Sequence, residues 1–223
     1  MKFQTYPDRD MMMFALADQL ASDLNTALRQ NDRASFSVPG GTSPGPVFDL
    51  LAGLALEWDR ITVFPNDERW VPEDHLRSNA RLIRQRLLVN RAKAATFVPL
   101  YADTAEPEAG IERLATTLSP HLPISVLLLG MGEDMHTASL FPGADRLAEA
   151  LSPDAPILLP MRAAAAGEPR VTLSARVLAD AMAIHILITG DEKRAALEQA
   201  ATLPPEVAPV RAVLANAIVH WAE

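Results

Sequence analysis

Apolar positions recur along this chain with two spacings, and the alternation between them predicts its architecture. Over residues 8–30, Phe14, Ala17, Ala21, Leu24 and Leu28 return every three or four residues, with Asp18, Asp23 and Arg29 among the polar positions. That spacing predicts an amphipathic helix. The Met11, Met12 and Met13 cluster at its start is assigned to packing, since an unbranched thioether fills gaps in a core. Shorter apolar runs at 34–38, 61–64, 96–100, 124–129, 157–160, 183–189 and 217–221 are too short for helices and predict strands. Further helices are predicted after Pro44, after a Ser78-Asn79 cap, over 106–118, from Ser174, over 194–201 and over 209–216. Strands alternating with helices over the whole length predict an α/β fold: one open, mainly parallel sheet with helices on both faces, Rossmann-like, in a single domain spanning 1–223. In such a sheet the carboxyl ends of the strands open into one crevice, and the loops after Val38, Phe64, Leu129 and Thr189 all carry polar residues.

The central stretch is 124–143. A strand buried on both faces breaks at Gly130 and Gly132, and Glu133, Asp134 and His136 follow at once. Residues 137–141 read as one helical turn, stopped by Pro142 and Gly143. The spacing alone leaves two assignments open: an acid/base site, or a capping turn whose histidine makes an ordinary hydrogen bond. The run Pro39-Gly40-Gly41-Thr42-Ser43-Pro44 is similarly double. It is either a plain strand-to-helix turn or a cradle of N–H groups and hydroxyls suited to phosphate. After the third run, Asn66-Asp67-Glu68-Arg69-Trp70-Val71-Pro72 predicts an ordered, partly buried loop, because Trp70 sits inside it. Residues 163–169 predict a mobile connection.

Composition narrows the function. The chain has 223 residues, a formal charge of −8 and no cysteine, which excludes disulfides, thiolate metal sites and a cysteine nucleophile. Five histidines show no ligand spacing, so no metal is expected. The acidic balance argues against general nucleic-acid binding. It also makes single cations beside loops informative about an anionic ligand. No apolar run reaches membrane-spanning length, and the first residues lack a signal-peptide core, so a cytoplasmic protein is expected. No GxSxG elbow occurs, and Ser139 is assigned to capping or packing. His185 and His220 are assigned to structure.

Taken together, PGGTSP at 39–44, NDERWVP at 66–72 with Ser78-Asn79, LGMGEDMHTASLFPG at 129–143, RVT at 170–172 and GDEK at 190–193 resemble the 6-phosphogluconolactonases, relatives of the glucosamine-6-phosphate deaminases. The resemblance implies hydrolysis of 6-phospho-D-glucono-1,5-lactone without a cofactor, on a sugar-phosphate substrate, in a monomer or small homo-oligomer. It implies His136 as general base with Asp134 as its acidic neighbour, and Asp67 and Arg69 lining the sugar site. It further implies Gly40, Gly41, Thr42 and Ser43 at the phosphate, with Arg170 and Lys193 neutralising it. The related deaminases carry a carboxylate five residues beyond the histidine; here that position is Phe141, which favours the lactonase. A sugar-phosphate sensor without chemistry is the other alternative, and the presence of Asp67, Asp134 and His136 argues against it. Two positions depart from the family pattern: Met135, where glycine is usual, and Pro39, where a small hydroxyl residue is usual. A side chain at 135 is expected to alter the backbone there or narrow the pocket.

Overall fold

The computed structural model describes residues 1–164 and 166–223. Its strands are β1 (Lys2–Thr5), β2 (Ala34–Val38), β3 (Ile61–Pro65), β4 (Asp67–Arg69), β5 (Thr96–Phe97), β6 (Val126–Gly130), β7 (Leu158–Met161), β8 (Arg170–Leu173), β9 (Ala183–Thr189) and β10 (Ala217–Ala222). The helices are α1 (Arg9–Gln30), α2 (Gly45–Gly53), α3 (Asn79–Arg86), α4 (Ile111–Leu118), α5 (Leu147–Leu151), α6 (Ala175–Ala179), α7 (Asp191–Ala200) and α8 (Arg211–Leu214). Among the described residues, seven strands form one open sheet in the order β1-β10-β9-β6-β2-β3-β5, and every neighbouring pair in it is parallel. The alternation of strands and helices therefore closes into the fold it predicts.

Strand β6 explains why its residues are apolar without alternation. Val126 and Leu128 turn into a cluster with Leu16 and Leu20 of α1, while Leu127 and Leu129 turn into another with Leu114 of α4 and Leu197 of α7. A strand covered on both faces has no solvent side to make polar. Helix α1 is held at its start by Asp8, whose side chain accepts from the Met11 N–H at 2.7 Å. It buries Met12, Met13, Leu16, Leu20 and Leu24. Phe14, predicted on the buried stripe, is 57% exposed instead. It lies about 100° round the helix from Met13, outside the stripe that Leu16, Leu20 and Leu24 define.

Several local features differ from the pattern-based expectation: the strand expected over 96–100 is confined to Thr96–Phe97, and the helix expected over 106–118 to Ile111–Leu118. Residues 67–69, expected in a loop, form β4, which pairs antiparallel with β8, and β8 with β7, in a small second sheet. Lys2–Thr5, to which the sequence reading assigned no element, adds an edge strand beside β10. Helix α7 begins at Asp191, three residues earlier than the pattern predicts, and so brings Lys193 into its first turn. No helix among the described residues is long and apolar enough to cross a membrane.

Beneath α1 runs a buried polar chain. His185 Nε2 lies 2.8 Å from Asp23 Oδ2, His185 Nδ1 lies 3.0 Å from His220 Nε2, and His220 Nδ1 lies 2.8 Å from the Tyr6 hydroxyl. Asp23 accepts at one end of the chain, and at the other the Tyr6 hydroxyl also donates to Gln4 Oε1 at 2.8 Å. Burial pushes His220 down to about 3, and the neighbouring His185 adds to the shift. Both histidines are structural, as assigned.

Candidate active site

In the parallel order β9-β6-β2-β3, four adjacent strands deliver their following loops to one edge, and a cleft of about 420 Å³ opens there. Gly40, Gly41, Thr42, Ser43, Asp67, Arg69, His136, Arg170 and Lys193 all line it. Asp134 stands behind His136 rather than on the wall. The predicted residues, scattered over more than 150 positions, are thus brought together.

The turn after β2 runs through Gly41 at φ +84°, a conformation that favours glycine, into the N-terminus of α2. Gly40 is required for space: a Cβ there would stand 1.8 Å from Asn79 Oδ1. After β3, Asn66 fixes the exit of the chain. Its amide donates to the Leu128 carbonyl at 2.8 Å and its oxygen accepts from the Ser37 hydroxyl at 2.6 Å, tying β3 to β6 and β2.

Asp67 then faces the cleft, and Glu68 turns the other way. The Glu68 carboxylate accepts from the backbone N–H groups of Arg69, Asn79 and Ala80 at 2.7–2.8 Å. Burial pushes it up to about 7, against those donors, which favour the charged form. Glu68 therefore anchors the start of α3, while Ser78 caps it by accepting from the Arg81 N–H. Trp70 is buried as expected, its indole donating to the Thr104 carbonyl at 2.9 Å.

Antiparallel pairing of β4 with β8 places Arg69 directly opposite Arg170. Like charges in register are unfavourable unless something anionic joins them. Arg170 is 6% exposed, donates to the Ala166 carbonyl at 3.0 Å, and has its nearest carboxylate oxygen, Asp67 Oδ2, 3.9 Å away. Burial lowers its pKa, and the charges of Arg69 and Arg77 lower it further. Lys193 joins these cations from α7. Of residues 163–169, predicted as a mobile connection, Ala165 lies outside the described residues. Beside it, Glu168 pairs with Arg77 at 2.9 Å and the Pro169 carbonyl accepts from the Trp70 N–H.

The loop after β6 carries the acid/base pair. His136 Nδ1 lies 2.5 Å from Asp134 Oδ1, which also accepts from the His136 backbone N–H. The imidazole packs on the Phe141 ring, 4.5 Å between centroids. Asp134 thus fixes the ring through Nδ1 and leaves Nε2 for the cleft. A Cβ on Gly132 would meet His136 Nδ1 at 2.2 Å, so this glycine makes room for the pair, whereas Gly130 has open space beside it. Residues 137–141 are not a helical turn. Ala138 has φ +50°, and Thr137 and Leu140 pair across a tight turn, because a left-handed residue cannot continue a helix. Met135 adopts φ +64° despite its side chain, so the loop keeps a backbone that suits glycine; the Val210 N–H holds its carbonyl at 3.0 Å.

Two pocket contacts lay beyond sequence reasoning. Asn79 lines the cleft and donates to the Asp67 carbonyl at 2.8 Å, a contact that neither the cap reading of Ser78-Asn79 nor its place among the family motifs assigns. Ser139 is fully buried and donates to Asp67 Oδ2 at 2.5 Å, across 72 positions of sequence. Neither contact has a local signal.

Comparison with known proteins bears on the family and the fold. Residues 7–221 match the family described as glucosamine-6-phosphate isomerases/6-phosphogluconolactonase. A 6-phosphogluconolactonase of Mesorhizobium japonicum is 43% identical over 218 residues, covering 95% of this chain and 90% of the relative. One of Pseudomonas aeruginosa is 42% identical over 214 residues, covering 92% and 88%. The crystal structure of a 6-phosphogluconolactonase from Shewanella baltica superimposes with a TM-score of 0.96 at 33% identity, over 100% of this chain and 97% of that one.

Proposed function

The chain belongs to the glucosamine-6-phosphate isomerase/6-phosphogluconolactonase family, and from that membership we propose that it hydrolyses 6-phospho-D-glucono-1,5-lactone to 6-phosphogluconate in the oxidative pentose phosphate pathway. The observation that carries this reading is the pairing, in one cleft, of an under-neutralised cationic wall with a histidine held by a carboxylate. The phosphate lies against Gly40, Gly41, Thr42 and Ser43, within reach of Arg69, Arg170 and Lys193. Its charge relieves the repulsion between the two arginines in register. That grip, remote from the reacting carbon, places the lactone carbonyl beside His136.

Neutral His136 takes a proton from water through Nε2 as the water oxygen attacks C1. Asp134 keeps the proton on Nδ1 and stabilises the imidazolium that forms. When the C1–O5 bond breaks, the imidazolium returns its proton to the departing ring oxygen, and the histidine is ready again. Asp67 accepts a hydrogen bond from the sugar or from the attacking water. The chemistry calls for no cofactor. Spontaneous lactone hydrolysis sets the bar for the test: with fresh substrate near neutral pH, the protein should accelerate hydrolysis well above an enzyme-free blank. A rate equal to the blank would overturn the proposal.

A further inference from the structure

Asp67 and Arg170 are buried neighbours of opposite charge that do not form a hydrogen bond. Asp67 is 6% exposed, and its Oδ2 lies 3.9 Å from Arg170 Nη1. A buried carboxylate and guanidinium ordinarily close to about 2.8 Å, since each is otherwise left with unused hydrogen-bonding capacity. Here that capacity remains: Arg170 Nε is buried without a partner among the described residues. What occupies Oδ2 instead is the Ser139 hydroxyl, at 2.5 Å. The other oxygen, Oδ1, has only a long contact of 3.4 Å from Asn79.

We propose that Ser139 is a positioning residue: its hydroxyl holds the Asp67 carboxylate away from the Arg170 guanidinium, leaving the guanidinium free for the substrate's anionic group and Asp67 Oδ1 free for a hydroxyl or water. This rests on the sugar-phosphate reading of the same cleft. Ser139 is suited to the task because its own backbone is fixed independently. Its N–H donates to Thr172 Oγ1 at 3.2 Å, and Thr172 lies in β8 opposite Asp67. The serine is also cut off from a nucleophile's role. It is fully buried, and its proton goes to Asp67, while the nearby histidine is paired with Asp134. Without the hydroxyl, the carboxylate is free to turn onto Arg170. The resulting ion pair competes with any anion for the guanidinium.

Ser139→Ala separates this role from a merely structural one. Crystal structures of the wild type and the variant should show the Asp67–Arg170 contact closing to hydrogen-bond distance in the variant; a contact that stays near 3.9 Å overturns the proposal. Calorimetric titration with 6-phosphogluconate should show binding weakened about tenfold by Ser139→Ala. The same change made in an Asp67→Asn background should have no further effect, because a neutral amide does not capture the guanidinium. Equal weakening in both backgrounds would mark Ser139 as ordinary packing and overturn the proposal. The melting temperature of Ser139→Ala should stay within about 3 °C of the wild type, since the new ion pair offsets the lost hydrogen bond. If the wild type binds no 6-phosphogluconate, the sugar-phosphate reading falls, and the pair of crystal structures still decides the role of Ser139.

Discussion

Two histidine–carboxylate pairs in this molecule have similar geometry and opposite surroundings. His136, on the cleft wall, meets Asp134 behind it at 2.5 Å, with the side chains 30% and 47% exposed. His185 meets Asp23 at 2.8 Å beneath α1, with the imidazole wholly buried. In the buried pair every ring nitrogen is committed: His185 passes its second nitrogen to His220, and His220 passes its own to Tyr6. In the cleft one ring nitrogen stays unpaired among the described residues. A histidine–carboxylate contact therefore predicts chemistry only where the second ring nitrogen faces space that a substrate can enter.

That contrast can be broken from either side, and the largest effect is expected at Gly132. A Cβ there would stand 2.2 Å from His136 Nδ1 and 2.5 Å from Asp134 Oδ1, so Gly132→Ala must push the pair apart. Misplacement of a base by about 1 Å costs on the order of a hundredfold in turnover, which steady-state kinetics would read while the circular dichroism spectrum stays unchanged. His185→Ala should do the reverse. It takes one hydrogen-bond partner each from His220 Nε2 and Asp23 Oδ2 and should lower unfolding free energy by about 2–4 kcal/mol in urea titrations, with turnover per folded molecule retained.

The buried chain also makes stability depend on pH in a direction that follows from His220. Its folded pKa of about 3 lies below the ordinary 6.5, so the unfolded chain binds the proton more readily. The contribution is complete above about pH 6.5 and is lost as pH falls from there toward 3. Urea midpoints should decline over that interval, and His220→Gln should flatten the decline. The smallest effect belongs to Met135. Replacing it by glycine relieves a left-handed backbone but gives up packing against the core, so stability should change by less than about 1 kcal/mol in thermal melts.

The contrast between the pairs also marks what a sequence can disclose. The cleft was legible because parallel strands send successive loops to one edge, so polar residues after Val38, Phe64, Leu129 and Thr189 needed no contact map to be grouped. The two buried histidines were legible as structural because they sit within strand runs. What escaped was long-range. The pairing of β4 with β8 joins residues a hundred positions apart, so Asp67–Arg69 read as loop and the two arginines in register stayed hidden. The Ser139 bond to Asp67 escaped for the same reason. Residues 137–141 misled because their composition suits a helical turn, while Ala138 at φ +50° turns the chain back instead.

The most direct test of His136 sets turnover against binding in a single variant, His136→Ala. Hydrolysis of 6-phosphogluconolactone, corrected for the blank, should fall by about a hundredfold or more, as removal of a general base does. Affinity for 6-phosphogluconate should stay close to that of the wild type, because the cationic wall is untouched. Undiminished turnover, or turnover and affinity falling together, would contradict the assignment of His136 as the base.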